Sequence, residues 1–538
     1  MIEEISEPSE KEKTFRTIEG CELEISGPSS LIVFGGAGDL AKRKLIPSIY
    51  RLYKHGLLSK DFFLLSADRI EIDADKYRSM IGEAAKSAFP EDFDDPSWTD
   101  FASKLYFVSL DFSQMDSYAA ILKERLPSLE TKHGTGGNRI FYLAVPPFVF
   151  EDVINNLGRA GLAQEDGAYT HIVIEKPFGH DLNSAKRLNN VLKQYFKERQ
   201  IFRIDHYVAK EPVQNMLMFR FANSIFEPLW NRRYVDHVQI TCSETIGVGH
   251  RAAYYEKAGV IRDMFQSHIL QILAVTAMEP PVAFNADRVM DEKIKIFRSI
   301  RPFSPEKMHD SVVIGQYGRG TIDGESVVAY REEPGIAPES ATPTFAAMKV
   351  FIDNWRWHGV PFYLRSGKRM TTRNTEISIH FKPVPYSMFR RVMEEVIEPN
   401  ILCFTIQPDE GIRLAFQTKR TGSRICLETV LMDFTYRKGI LLDAYQWVLL
   451  DCMLGDQMLF LRQEGVEETW SLLTPVMNFL EAETRPEKFP NYDAGSSGPA
   501  EADDLIKKDG RDWMPLETSS SDESSDIPRF RGGQSKSR

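Results

Sequence analysis

Over the first two hundred positions, apolar residues come in short dense runs separated by polar stretches of helix length. SLIVF (30–34), FFLLSA (62–67), KLYFVSLDF (104–112), RIFYLAV (139–145) and HIVIEK (171–176) are largely apolar on both faces, as strands inside a parallel sheet must be. DLAKRKLIPSIYRLYKH (39–55), stopped by Gly56, and the stretches 148–160 and 182–199 read as helices between them. This alternation predicts an α/β domain of the Rossmann type, doubly wound. Beyond residue 205 the pattern changes. Helical stretches at 212–223, 260–278 and 440–461 accompany VDHVQITCSE (235–244), TEISIHFKP (375–383), ILCFTIQ (401–407) and EGIRLAFQTKR (410–420). The polar alternation of these strands predicts an α+β domain with a large, mainly antiparallel sheet. The expected division is a polar arm over 1–27, a first domain over 28–204, a second over 205–515 and a tail over 516–538. That tail, rich in Ser, Asp, Glu, Gly and Arg, is expected to be disordered.

Composition narrows the function classes. The 538 residues carry 66 Lys+Arg against 77 Asp+Glu, a net charge of −11, which argues against nucleic acid or an anionic membrane as partner. No apolar run approaches the roughly 18 residues that a spanning helix needs. MIEEISEPSEKEK at the start lacks the apolar core of a secretory signal. Five cysteines (21, 242, 403, 426, 452) without CxxC pairing fit a reducing compartment, and no HExxH or His/Cys cluster suggests a metal. A cytoplasmic enzyme without a metal is expected.

Gly35, Gly36 and Gly38 fall between a strand and a helix, where small residues let the backbone approach a pyrophosphate. Asp39 and Leu40 open the helix whose N-terminus supplies amide donors. Pro146, just past the 139–145 strand, is taken with them as a cofactor contact. The second strand ends in Ala67-Asp68-Arg69. An acidic residue there suits a free ribose 2′-hydroxyl and an arginine suits a 2′-phosphate, so NAD and NADP both stay open.

Further polar groups stand at strand ends, where open α/β sheets collect ligands. Lys176, in EKPFG, is held extended by Pro177; its alternative is a solvated turn. In RIDHYVAKE, Asp205, His206, Tyr207 and Lys210 precede a helix that Pro212 opens, a plausible phosphate cradle or else a polar turn. His268 lies in the apolar stripe of Ile261, Met264, Phe265, Ile272 and Val275. Burial there keeps an imidazole neutral, as a base requires, although the same placement suits a core histidine. Asp263 is five residues earlier, about 140° round an α-helix, and so is expected to face another part of a ligand.

GGAGDLAKRKL, EKPFG, RIDHYVAKE, GVIRDMFQSHILQ and VPFYLRSGK, in this order and spacing, resemble the glucose-6-phosphate dehydrogenase family from about Leu31 to about Trp513. The resemblance implies oxidation of glucose 6-phosphate at C1 to 6-phosphoglucono-1,5-lactone with hydride transfer to NADP or NAD, the first step of the oxidative pentose phosphate pathway. It implies a homodimer or homotetramer joined through the antiparallel sheet of the second domain. It also implies that His268 is the general base and Asp205 orients it, that His206, Tyr207 and Lys210 hold the 6-phosphate, and that Lys176 lies between sugar and nicotinamide. Glu244 and Asp263 would take sugar hydroxyls, and Lys368 and Arg373 would close the site from the other side.

The chain departs from the family pattern in places. Gly35-Gly36-Ala37-Gly38 lacks the usual serine. Ala209 replaces a glycine and would be strained at positive φ. Asp68 beside Arg69 repels a 2′-phosphate, so dual use of NADP and NAD is expected. Asn374 after Arg373 argues against the second, structural NADP site of some relatives. Two competing readings remain open at this level. A sugar dehydrogenase of the glucose–fructose oxidoreductase type needs no phosphate cradle. A non-catalytic nucleotide-sensing protein would be expected to have lost Asp205 or His268.

Overall fold

Strands apolar on both faces can only be satisfied between two helical layers, and the computed structural model, which describes residues 14–18, 21–205, 207–389, 397–422, 426–435, 442–483 and 485–516, has that arrangement. Strands β1 (Ser29–Phe34), β2 (Phe62–Asp68), β3 (Leu105–Ser109), β4 (Arg139–Leu143), β5 (Thr170–Ile174) and β6 (Ile201–Ile204) run parallel in the order β3-β2-β1-β4-β5-β6. Along β1 the period of two divides the side chains cleanly. Leu31 and Val33 enter one core, which α1 (Ile46–Lys54) helps to form with Ile46, Ile49 and Leu52, while Ile32 and Phe34 enter the other. The strand order reverses between β1 and β4, which opens a crevice at their carboxyl ends.

Among the described residues the second sheet has eight strands: β7 (Val235–Ser243), β8 (Val312–Gly315), β9 (Phe345–Phe351), β10 (Pro361–Gly367), β11 (Asn374–Phe381), β12 (Ile401–Gln407), β13 (Gly411–Lys419) and β14 (Leu427–Thr435). Their order is β8-β9-β10-β7-β11-β12-β13-β14, and every pair is antiparallel except β10 with β7. Helices α2 (Glu211–Phe221), α3 (Ile261–Ile269), α4 (Leu270–Ala277) and α5 (Ala286–Ser299) belong to this half. One continuous core takes in Phe34 of β1, Ile272 of α4 and Ile240 of β7, so the two halves are fused rather than merely tethered.

Three features differ from the pattern reading. The stretch 440–461 is not one helix. α6 (Ala444–Leu454) ends at Gly455 in a left-handed conformation, and β15 (Phe460–Leu461) then adds antiparallel to β6. Val448, Leu449 and Cys452 pack with Leu31 and Val33, so this segment returns to the first domain across the boundary expected at 204. The helix over 260–278 is two helices of different winding, α3 and α4. Within the polar arm, Phe15–Ile18 pairs with Cys21–Glu24 as a hairpin. Of the tail over 516–538, Leu516 packs beside the cluster of Val248 and Tyr330, and residues 517–538 lie outside the described residues.

The turn after β1 needs glycine for a stated reason. Gly35 has φ +81°, and a Cβ there would lie 2.4 Å from the Ala144 carbonyl oxygen; one on Gly36 would lie 2.4 Å from Ser66 Cβ. Gly35→Ala is expected to lower the unfolding free energy by about 2–3 kcal/mol, read from the urea midpoint at unchanged m-value.

Candidate active site

The polar residues gather because successive strands end at the same level. Asp205 directly follows β6, and Lys176 stands two residues past β5. Parallel neighbours β7 and β10 set Ser243 opposite Gly367, which brings the next residues together: Lys368 Nζ lies 2.6 Å from Glu244 Oε2. Across β11 and β12, Thr375 is opposite Gln407. Gln407 Oε1 accepts from Lys210 Nζ at 2.7 Å and from Arg373 Nη2 at 3.3 Å, while its Nε2 donates to Thr375 Oγ1 at 2.8 Å. The sequence reading missed Gln407. The strand-end argument that selected Lys176 applies equally to the end of ILCFTIQ and could have found it.

His268 is fully buried. Its Nδ1 lies 2.7 Å from Asp205 Oδ1, which also accepts the Tyr207 amide at 2.9 Å, and its Nε2 lies 2.7 Å from Lys176 Nζ. An ammonium can only donate, so Nε2 is the acceptor and the ring proton sits on Nδ1, toward the carboxylate. This is a neutral imidazole with its basic nitrogen facing a cation. Burial pushes its pKa down and Lys176 adds to that, while Asp205 opposes both. The helix beneath is anchored from its far end. Arg220, itself buried, donates to the Val275, Thr276 and Met278 carbonyls, which the end of α4 leaves without helical partners.

Asp263 corrects the sequence reading. Its Oδ1 lies 3.4 Å from Lys176 Nζ and accepts from Tyr254 Oη at 3.1 Å, so Asp263 and His268 reach the same ammonium. The expected 140° separation assumed α-helical winding. α3 is a π-helix, closed by the Leu270 amide on the Phe265 carbonyl, and i→i+5 bonding brings positions five apart close to one line. Burial resists ionisation of Asp263, but Lys176, Arg251 and Lys368 overcome it and hold the carboxyl well below its ordinary range. Neither Tyr254 nor Arg251 carried a sequence signal that would have singled it out.

Tyr207 joins these groups to the second cluster of cations. Its ring stacks on His268 with centroids 4.2 Å apart, and the Lys210 ammonium lies 3.8 Å from the same ring's centroid. Burial lowers the Lys210 ammonium to about 8, with Arg373 acting in the same direction. His206 lies outside the described residues. Ala209 is not among the residues with positive φ, so the strain expected from replacing glycine does not arise.

At the glycine turn, the Gly35 and Gly36 amides donate to the Ala67 carbonyl, and Gly38 donates back to Gly35. Asp68 reaches over this turn: its Oδ2 accepts the Ala37 amide at 3.0 Å and its Oδ1 accepts the Arg69 amide at 2.7 Å. The Arg69 guanidinium lies over the Phe112 ring. Asp39 pairs with Arg43, Leu40 continues into the helix, and Pro146 follows β4 on the opposite bank of the crevice. A backbone that a Cβ would obstruct, leading into a helix N-terminus at a strand-order reversal, fits the pyrophosphate of a dinucleotide.

Comparison with known proteins agrees with this geometry. Residues 32–215 match the family model described as glucose-6-phosphate dehydrogenase, NAD binding domain, and residues 217–514 match the one described as glucose-6-phosphate dehydrogenase, C-terminal domain. The chain is 44% identical over 500 residues to a glucose-6-phosphate 1-dehydrogenase of Chlamydia pneumoniae, covering 91% of this chain and 96% of that protein. It is 41% identical to one of Bacillus subtilis over 489 residues, 90% of this chain and 98% of that protein. A solved structure of glucose-6-phosphate dehydrogenase in complex with its substrate glucose-6-phosphate is similar with a TM-score of 0.82 and 32% identity, covering 91% of this chain and 99% of that one.

The electrostatics around His268 give a direct expectation. Its ring, followed by NMR, is expected to titrate below the ordinary value of about 6.5, and Lys176→Met is expected to move that midpoint upward, because it removes a neighbouring positive charge.

Proposed function

The chain belongs to the glucose-6-phosphate dehydrogenase family, and from that membership we infer the roles of the individual side chains in the reaction it catalyses. The protein is an oxidoreductase that oxidises glucose 6-phosphate at C1 to the 1,5-lactone with a nicotinamide coenzyme. The observation that carries the assignment of roles is the 2.7 Å contact between Asp205 and the buried His268, joined through the Tyr207 ring to Lys210, Gln407 and Arg373.

His268 Nε2 takes the proton of the C1 hydroxyl, and Asp205 stabilises the imidazolium that forms. Lys176, which occupies Nε2 at 2.7 Å, turns to the substrate when the sugar enters. Lys210 and Arg373, held as a pair by Gln407, receive the dianionic 6-phosphate together with Tyr207 and His206. Asp263, Glu244 and Lys368 bind the sugar hydroxyls. Gly35, Gly36, Gly38, Asp39, Leu40, Asp68, Arg69, Pro146 and Lys176 hold the coenzyme, which when bound accepts the hydride from C1. The position of the Asp68 carboxylate over the glycine turn supports use of both NAD and NADP. A dehydrogenase for unphosphorylated sugar is disfavoured by the paired cations, for which it has no use. Association of two or four copies through the eight-stranded sheet is supported by Leu431, Met432 and Phe434, exposed on its outermost strand β14. Cys242, Cys426 and Cys452 as free thiols fit a cytoplasmic setting, and no helix among the described residues is long and apolar enough to cross a membrane.

Reduction of coenzyme, followed at 340 nm, tests these roles. His268→Asn is expected to lower kcat by about 10²–10⁴ with KM for glucose 6-phosphate nearly kept. For the coenzymes, kcat/KM is expected to favour NADP by less than about a thousandfold, and Asp68→Ser to move that ratio toward NADP. A larger preference in the unaltered enzyme would reject dual use.

A further inference from the structure

Where the two halves of the chain meet, α2, α4 and α5 face α6 around a cavity of about 350 Å³, within the range of about 300–1,000 Å³ usual for small-molecule sites. Its wall is largely apolar, with Val213 and Leu217 of α2, Val275 of α4, Val289 of α5 and Leu459 ahead of β15. Lys293 of α5 lines it too. This side chain is 1% exposed, and its ammonium has no hydrogen-bond partner among the described residues. Three carboxyl groups line the same cavity, Glu211, Asp451 and Asp456, and none of them takes a hydrogen bond from Lys293. Burial pushes Glu211 up, and burial together with Asp456 pushes Asp451 up to about 8, so both are drawn toward the uncharged acid and then donate. Burial lowers the Lys293 ammonium to about 8, which leaves most of it charged at neutral pH.

A buried cation without a counter-charge is costly, and water satisfies its hydrogen bonds but not its charge. An anion that carries its own apolar body answers both the lysine and the aliphatic wall, whereas a cationic ligand would meet a like charge beside acids that have lost theirs. We propose that this cavity is a second binding site, for a small monocarboxylate with an aliphatic tail: the head pairs with Lys293, and the tail packs among Val213, Leu217, Val275 and Val289. The site is placed to be felt at the catalytic centre. Val208 and Glu211, which line it, flank Ala209 and Lys210, and Lys210 lies 2.7 Å from Gln407. A ligand that fits the cavity as it stands with Lys210 on Gln407 favours that arrangement over others. Occupancy therefore lowers KM for glucose 6-phosphate more than it alters kcat, a consequence that rests on the reading of Lys210 as a ligand of the 6-phosphate.

The probe is octanoate, titrated calorimetrically into the full-length protein, with octylamine and 1-octanol as cationic and neutral controls. Octanoate is expected to bind saturably, about tenfold or more tightly than either control. Lys293→Met exchanges a buried charge for an apolar chain and is therefore expected to fold. It is expected to weaken octanoate by about tenfold or more and to leave 1-octanol within about twofold. Leu217→Phe, which narrows the cavity and keeps the cation, is expected to weaken octanoate and 1-octanol alike. No saturable octanoate binding, equal binding by Lys293→Met, or tighter binding of octylamine overturns the proposal. Should Lys293→Met fail to fold, Leu217→Phe decides, and undiminished octanoate binding there overturns it. In the assay at 340 nm, saturating octanoate is expected to lower KM for glucose 6-phosphate by about fivefold, and to do so less in Lys293→Met. An unmoved KM with octanoate bound overturns the link to Lys210. Lys210→Met separates that link from the reading beneath it: if KM for glucose 6-phosphate is unchanged in this variant, the phosphate assignment is what fails.

Discussion

One contact governs the rest of the molecule: a carboxylate and an imidazole, neither reached by solvent, held 2.7 Å apart by elements from different halves of the chain. In a medium of low dielectric such a hydrogen bond is strong when complete, and either partner alone is expensive to bury. Both ends are therefore fixed by other interactions. Asp205 sits at the end of β6 and takes the Tyr207 amide. His268 rides on α3, whose continuation α4 is tied down by Arg220 and by the indole nitrogens of Trp230 and Trp357, which donate to Thr276 and Ala277. The shared core that fuses the two halves is what makes this geometry reproducible.

Around that contact the chain concentrates charge against its own average. The protein as a whole is acidic, with a net charge of −11, yet the site gathers Lys176, Lys210, Lys368 and Arg373 beside Asp205, Asp263 and Glu244. Two tasks are thereby separated in space. Lys176, beside Asp263, holds down the proton affinity of the base, whereas Lys210 and Arg373 share an uncharged amide, Gln407, which holds the two cations together for an anion. A net charge computed over the chain says nothing about such a local excess.

The coenzyme turn shows the same economy of residues. Without the serine usual in the family, the amide of Ala37 is satisfied by Asp68, so a side chain expected only to meet the ribose also shapes the loop that meets the pyrophosphate. Coenzyme choice and loop conformation are thus coupled through one carboxylate. That coupling is the physical reason for treating the glycine turn and the strand end at Ala67-Asp68-Arg69 as a single unit.

How much could be read from the residues alone follows from the range of the interactions. Strands with apolar side chains on both faces, glycines between a strand and a helix, and polar groups at strand ends are local patterns, and they pointed to the two-domain plan, the glycine turn, Lys176 and the run from Asp205 to Lys210, whereas Glu244, Lys368 and Arg373 were implied only by the family resemblance. Winding is not local in that sense: the π-helix at Ile261–Ile269 is indistinguishable from an α-helix by its apolar stripe, so the facing of Asp263 was misjudged. The return of Phe460–Leu461 to the first sheet and the meeting of Gln407 with Lys210 depend on contacts between residues about 200 to 260 positions apart. The sequence by itself determined which elements form and which chemistry they carry. Tertiary packing alone decided which strand ends lie side by side, and therefore which charges are close enough, in a dry enough place, to act on one another.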